Sequence, residues 1–331
     1  MKCMHKSGMS FLTKRHFWAY FSELLYESPY IGRIEVTMSS IAIKNLEVTS
    51  VCNYKCPICV RRTRNGHMNM DDFFKIVDKN YHLFNDNGIW LHFYGEPLTD
   101  PNFLTRVSYI KSKGAKTRIS TNGSLLDEKR RHALATSGLD YIVVSISTLD
   151  RETYKRTRGV DNLPLVLKNL LEFKKYIDFL KIPMQLQAVM IDTDNGSERN
   201  EFIKYFHDYG IHAAFHNFTN RANSVELDLS VVDKHDYSVK RGVCKGLEER
   251  IGILSNCDVV TCYCDFEGQN SLGNLRDYDY SLTELMKNGR LDELKSNLEN
   301  QVYQGACADC SDWIYYQEDS IERYVTVYPV P

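Results

Sequence analysis

The chain has no apolar run approaching the length of a membrane span, so no transmembrane helix is expected. Its start, Met1-Lys2-Cys3-Met4-His5-Lys6, lacks the apolar core of a signal peptide. It also lacks a charge imbalance: 41 Lys and Arg against 43 Asp and Glu leave a formal net charge of -2. Such a balance gives no electrostatic footprint for nucleic acid or an anionic membrane. The basic runs Arg61-Arg62-Thr63-Arg64 and Lys129-Arg130-Arg131 therefore read as solvated faces. No low-complexity tract and no long repeat occur, and the 43% hydrophobic, 25% charged composition is that of an ordinary globular protein. These absences point to a cytoplasmic protein that meets neither membrane nor nucleic acid. A length of 331 residues suits one large domain or two modest ones.

Cysteine, by contrast, is plentiful, with ten in the chain. A long chain with no export signal is not a disulfide scaffold, and clustered cysteines in a reducing compartment are more often metal ligands. Three stand within eight residues, Cys52-Asn-Tyr-Lys-Cys56-Pro-Ile-Cys59. Structural zinc and ordinary iron–sulfur clusters take four protein ligands. A set of three leaves one iron of a [4Fe–4S] cluster open for another ligand. The preceding residues, Leu46 to Asn53, read as a strand running into the cysteines.

From about residue 45 short β-rich runs alternate with amphipathic helices. Strands are expected at Leu46–Thr49, Trp90–Phe93, Arg118–Ser120, Ile142–Ile146, Leu186–Ile191 and His212–Phe218. Helices are expected at Asp71–Leu83, Asn102–Ser112, Asp127–Thr136, Leu165–Ile177 and Glu198–Tyr209, several of them stopping at Gly114, Gly138 or Gly210. Six such units predict an α/β fold, an open, partial (β/α)6 TIM-like barrel. Parallel barrels carry chemistry at the C-terminal ends of their strands, which is where the cysteine loop falls. Residues 1–44 read as a leader, with the amphipathic stretch Phe11–Tyr26 packing on the core. Residues 45–220 hold the barrel. After the turn-rich Asn220-Arg221-Ala222-Asn223-Ser224, residues 221–331 form a small cysteine-rich domain without the βα rhythm.

The cysteine spacing and its strand context resemble the cluster loop of radical S-adenosylmethionine (SAM) enzymes. That resemblance implies a cluster on Cys52, Cys56 and Cys59 whose open iron is chelated by SAM. An electron from the cluster then cleaves SAM to methionine and a 5′-deoxyadenosyl radical. Further segments carry the same resemblance in chain order. Tyr94-Gly95-Glu96-Pro97 is similar to the family's Gly-Gly-Glu-Pro, whose backbone meets the SAM amino group, with Tyr94 in place of the first glycine. Thr121-Asn122-Gly123 resembles a strand-end Thr-Asn-Gly that binds the SAM carboxylate and ribose; read alone it is equally a helix cap or Asx turn. Ser145 stands in a Ser-Ile segment and is the candidate for the ribose hydroxyls. Arg158, in an Arg-Gly pair, either holds the SAM carboxylate or makes a surface salt bridge. Val189 and Met190 either pack on adenine or belong to the core.

The C-terminal segment carries Cys244, Cys257, Cys262, Cys264 and Cys307-Ala-Asp-Cys310. The run from Val259 to Leu275 resembles the auxiliary-cluster domain of SPASM and twitch radical SAM enzymes. With Asp265 fixing the register, the resemblance implies Cys244, Cys262, Cys307 and Cys310 as ligands of a single closed [4Fe–4S] cluster. A four-cysteine zinc site is the alternative in isolation. Cys3, Cys257 and Cys264 are left over, and Cys264 is a candidate hydrogen-atom donor beside a ligand.

The resemblance implies an oxidoreductase with two [4Fe–4S] clusters and SAM, fed by an electron donor such as flavodoxin or ferredoxin. The expected reaction is dehydrogenation of a small molecule such as a sugar or aminocyclitol. An epimerase or peptide maturase using a cysteine hydrogen donor is the second reading, and a non-enzymatic zinc or iron–sulfur module the third. His216, Asn217, Asn220 and Arg221 are candidates for substrate contact.

Overall fold

The structure is a computed structural model that describes residues 42–60, 65–192, 196–217, 251–308 and 325–330, with positions 225, 241, 244, 247, 310, 312 and 313. Cys3, the stretch Phe11–Tyr26, the run 61–64, Asn220 and Arg221 lie outside the described residues. All described residues belong to one compact unit, Ile41–Pro331.

The βα alternation runs as expected. In order come β1 (Ile43–Leu46), α1 (Met70–Asn80), β2 (Ile89–Trp90), α2 (Phe103–Ser112), β3 (Thr117–Thr121), α3 (Glu128–Thr136) and β4 (Tyr141–Ser147). There follow α4 (Arg151–Arg158), α5 (Leu163–Phe179), β5 (Gln185–Asp192), α6 (Gly196–His207) and β6 (His212–Asn217). Helix α4 is additional to the sequence expectation. Asp150 caps it by accepting from Thr153 N, and Gly159 ends it in the left-handed region at φ 72°.

Strands β1 to β6 are parallel and lie side by side in sequence order, the arrangement of a βα barrel. The barrel is open. Past β6 the sheet takes on antiparallel β10 (Val325–Tyr328). Past β1 it takes on parallel β7 (Ile251–Ile253), then antiparallel β8 (Asp258–Val260) and β9 (Gly273–Asn274). The same sheet thus runs through the boundary expected at residue 221, and the cysteine-rich segment is hydrogen-bonded to the barrel's first strand.

Strand alternation divides the side chains between two faces. Ile119, Ile142, Val144, Ile146 and Ala188 join the main core against the helices. Tyr141, Val143, Val189 and Ala214 form a separate cluster on the other face, with Trp90 packed against it. Arg118 lies over both the Trp90 and Tyr141 rings, 4.7 and 4.4 Å from their centroids.

The short helices α7 (Leu282–Leu285) and α8 (Arg290–Glu299) follow β9. This segment is stapled to α1 by Asp72, which accepts from Arg276 NH2 at 2.5 Å and from the Tyr280 hydroxyl at 2.7 Å. The Arg276 contact, helped by Tyr280, holds the Asp72 carboxyl below its ordinary value of 3.8. A depressed carboxylate stabilises the fold above its unfolded pKa, and that contribution is lost as pH falls through the folded value. Asp72→Asn is therefore expected to destabilise the protein by about 1–3 kcal/mol at pH 7. The difference from wild type should shrink below pH ~4, as read from urea unfolding followed by tryptophan fluorescence.

Candidate active site

The C-terminal ends of β1 to β4 come together around the first cysteine loop. β1 ends earlier than the sequence suggests, at Leu46, because the next residue leaves the strand to serve the site. Glu47 is fully buried, and its carboxylate accepts from Tyr94 N at 3.4 Å and Ser255 N at 3.0 Å. It joins the ends of β1 and β2 to the cysteine-rich segment. A glutamate inside the apolar run Leu46-Glu47-Val48 was the signal for this, since burying an unpaired carboxylate is costly.

Cys52, Cys56 and Cys59 are half-buried on one short loop, closed by Cys59 N donating to Cys56 O at 3.0 Å. Cys52 Sγ accepts from Tyr54 N at 3.4 Å. Burial pushes the Cys56 thiol up, while the nearby Arg158 guanidinium pulls the other way.

Gly95 sits where β2 meets this loop. A Cβ there would fall 2.0 Å from Thr49 O and 3.0 Å from Val51 O. Glycine is thus required by the backbone of the cysteine loop itself, to which Glu96 N also donates, at Val51 O. The Glu96 side chain turns inward and is 2% exposed. It accepts from Thr121 Oγ1 at 2.7 Å, Asn122 N at 2.7 Å and Leu98 N at 3.2 Å, and burial raises its pKa. One carboxylate therefore pins the end of β3 to the end of β2. Asn122 passes the link on by donating to Asn53 Oδ1 at 2.8 Å, next to Cys52. Thr121 and Asn122 thus spend their side chains on holding the loop, with Asn122 Oδ1 accepting from Ser124 N and Oγ as an Asx turn does.

Ser145 lies at a β-bulge in β4, where the register against β5 shifts and Ser147 takes φ 71°. Its hydroxyl is 3.3 Å from that of Ser120, and its carbonyl accepts from Arg158 NH2 at 2.6 Å. Arg158 Nε is buried without a hydrogen-bond partner. The surface salt bridge considered for Arg158 is not what the side chain makes here. It binds the Ser145 carbonyl near Cys56 and keeps a buried, unsatisfied Nε donor. Gly159, behind it, is in van der Waals reach of the cysteine loop, a Cβ lying 3.2 Å from Lys55 O. Val189 pairs with Ser145 and shares its face, within the Tyr141 cluster. Met190, next in β5, points the opposite way and is 1% exposed in the helix-side core. His92, which sequence reasoning did not single out, accepts from Ser120 N through Nδ1 at 3.1 Å, and burial lowers its pKa to about 3.

A second cavity is lined by Cys244, Cys262, Cys264, Cys307 and Cys310, with Arg241, Leu247, Leu294 and Trp313. No disulfide joins any cysteines among the described residues. Asp265 caps the turn after Cys264, accepting from Gln269 N at 2.6 Å and Asn270 N at 2.9 Å. Asn270 then donates to Cys307 Sγ at 3.4 Å, joining the two halves of the cysteine set. Cys262 Sγ accepts from Cys264 N at 3.3 Å. Cys264 has a different partner: it is 2% exposed and its thiol donates to Asp312 Oδ2 at 3.1 Å. Contacts with Cys262 and Cys310, together with burial, raise its pKa, and the same contact lowers that of Cys310. Cys257 lies apart, buried in the main core at φ 74°.

The two cysteine regions meet through aromatic residues. Phe93 stacks on Tyr263 with centroids 4.9 Å apart, and the Tyr94 hydroxyl donates to Tyr263 O at 2.7 Å. Tyr263 stands between Cys262 and Cys264. Tyr94, where the resemblance would have glycine, therefore fastens the end of β2 to the second cavity. Among the described residues no three cysteine, histidine or carboxylate side chains are grouped to hold a single metal ion.

Comparison with known proteins agrees with this geometry. The family model of the Radical SAM superfamily matches residues 46–212, half of the chain. The SPASM model, described as an iron–sulfur cluster-binding domain, matches residues 244–311. A tungsten-containing aldehyde ferredoxin oxidoreductase cofactor-modifying protein of Pyrococcus furiosus is 23% identical over 310 residues, 80% of this chain and 86% of that protein. A probable GTP 3′,8-cyclase of Thermococcus kodakarensis is 31% identical over 151 residues, 45% of this chain and 49% of that protein. The match thus spans about half the length of that cyclase. Among solved structures, BtrN in complex with AdoMet and 2-DOIA has the same fold, with a TM-score of 0.54 at 17% identity over 85% of this chain and 96% of that one. Streptococcus suis SuiB bound to the precursor peptide SuiA gives 0.57 at 15% identity, over 84% and 78%. Among the described residues no helix is long and apolar enough to cross a membrane. SAM and a SAM-binding [4Fe–4S] cluster are the cofactors that go with the first match, and auxiliary iron–sulfur binding goes with the second. The chain belongs to the radical SAM superfamily, as an enzyme with a SPASM domain C-terminal to its radical SAM domain.

Proposed function

We propose that this enzyme oxidises a small hydroxylated molecule, with Cys52, Cys56 and Cys59 holding the SAM-binding cluster and Cys244, Cys262, Cys307 and Cys310 holding one auxiliary cluster. We assign residues 45–220 to the first function and 221–331 to the second. When bound, SAM and its cluster supply a carbon radical that removes a hydrogen atom from an unactivated carbon.

The observation that carries the reading is Arg158. Its guanidinium lies between Ser145 and Cys56 with Nε buried and unsatisfied. A buried donor of this kind calls for an anionic acceptor, and a carboxylate of SAM beside the cysteine loop supplies one. Gly95 and Glu96 present the end of β2, Thr121 and Asn122 brace it, and Ser145 and Val189 offer one polar and one apolar contact on the same face. Met190 supports that face from behind.

In dehydrogenation the substrate carbon would give one hydrogen atom to the SAM-derived radical, the auxiliary cluster that Cys244, Cys262, Cys307 and Cys310 would hold would take up the remaining electron, and the hydroxyl proton would go to solvent as the carbon–oxygen double bond forms. The aromatic contacts of Phe93 and Tyr94 with Tyr263 favour this reading, because they hold the segment from Cys262 to Cys264 against the end of β2. Epimerisation needs an available hydrogen donor, and Cys264 is engaged with Asp312 inside the second cavity. A reductant such as flavodoxin or ferredoxin completes the cycle.

The test is anaerobic turnover with SAM, reductant and panels of polyols, aminocyclitols and peptides. The reading expects 5′-deoxyadenosine to form in step with a small-molecule product two hydrogens lighter. Turnover with peptides alone, or a product of unchanged mass, contradicts it.

A further inference from the structure

Arg241 lies outside both cysteine motifs, and no sequence pattern marks it. It nevertheless lines the second cavity with the four proposed ligands. Its NH1 donates to Cys307 O at 2.8 Å. Its guanidinium carbon lies 3.9 Å from the Tyr303 ring centroid and 6.0 Å from that of Trp313. Its Nε is buried and has no hydrogen-bond partner. The rest of the lining is mixed: Leu247, Leu294 and Trp313 are apolar, and Thr261, Asp265 and Asn270 are polar.

We infer that Arg241 sets the reduction potential of the auxiliary cluster, an inference that rests on the ligand assignment proposed above. The guanidinium stays protonated at any working pH. Beside the buried Leu247 and Trp313 its field is less screened than in water. The Tyr303 face and the Cys307 carbonyl fix it in place, and its buried Nε–H keeps its hydrogen bond unmade beside the cavity it lines. Sulfur atoms of a cluster held by Cys307 and its partners are the acceptors that complete it. A fixed positive charge and an N–H···S bond both stabilise the reduced, more negative cluster and raise its potential. Arg241 is thus a positioning residue for electron transfer: it makes the auxiliary cluster the better electron acceptor without being one of its ligands.

The experiment is an EPR-monitored redox titration of the fully reconstituted protein, wild type against Arg241→Gln and Arg241→Lys, with iron counted in each. The inference expects Arg241→Gln to keep its iron and shift the auxiliary midpoint to a more negative potential. Arg241→Lys, which keeps the charge, should lie nearer to wild type, and the SAM-binding cluster should be unmoved in both. An unchanged auxiliary midpoint in Arg241→Gln overturns the inference. So does a loss of about four irons in both variants, which would make Arg241 a structural residue. A wild-type protein with only one cluster's worth of iron and one EPR signal would instead refute the ligand assignment, a separate failure.

Discussion

Cys56→Ala is expected to abolish SAM cleavage and to remove about four irons while the second set of irons stays. The loop offers three thiols for a cluster that already leaves one iron open, so none is spare. Cys56 is also the thiol whose pKa the nearby Arg158 guanidinium lowers against the effect of burial. Its loss takes away both a ligand and the thiol near that arginine. The fold should survive, since the loop is half-buried and the main core does not include Cys56. Iron content, the EPR spectrum and 5′-deoxyadenosine release check the three parts separately. Loss of all iron would mean that the two cysteine sets are not independent sites.

Gly95→Ala is expected to cost more than many larger changes elsewhere. The added methyl would lie 2.0 Å from Thr49 O and 2.7 Å from Thr49 C, both backbone atoms that no rotamer change can move. Relief requires β2 to separate from the cysteine loop, which breaks the Glu96 N to Val51 O bond at 2.8 Å. The neighbouring Glu96 carboxylate is tied to Thr121 and Asn122, so the strain passes into the end of β3. A destabilisation of about 3 kcal/mol or more follows from overpacking with loss of buried hydrogen bonds. SAM cleavage should fall much further than the loss of folded protein explains. Equilibrium unfolding and SAM-cleavage assays on the same preparation measure the two, and a variant with wild-type stability and activity would show that the loop moves freely against β2.

Much of the fold was legible because alternation of apolar periods dictates it. The six parallel strands occur in the expected order, and five expected helices differ only at their ends. Helix α4 was not, because Arg151 to Arg158 is strongly polar and buries only Tyr154 and Thr157. Its eight residues hold too few apolar positions to stand out, although Asp150 and Gly159 mark its two ends. Nor was the joining of β7 to β1 legible, since three residues, Ile251–Ile253, carry no register. The grouping of the cysteines could be read from spacing, since Cys52, Cys56 and Cys59 share one loop and Cys262, Cys307 and Cys310 line one cavity. What surrounds them could not. Glu96 resembled a backbone feature, yet its side chain binds two strand ends together. Tyr94 resembled a mere departure, yet its hydroxyl reaches Tyr263, 169 positions away. Val189 and Met190 read as a pair, and the two-residue period of a strand separates them onto opposite faces. Long-range pairs of this kind leave no local pattern.

The most direct test of the account is the anaerobic EPR and iron analysis of the wild-type protein with and without SAM. The account predicts about eight irons, two reduced-cluster signals, and a change on adding SAM in one signal alone, the one absent from Cys56→Ala. A protein carrying zinc, or one whose signals ignore SAM, would contradict it.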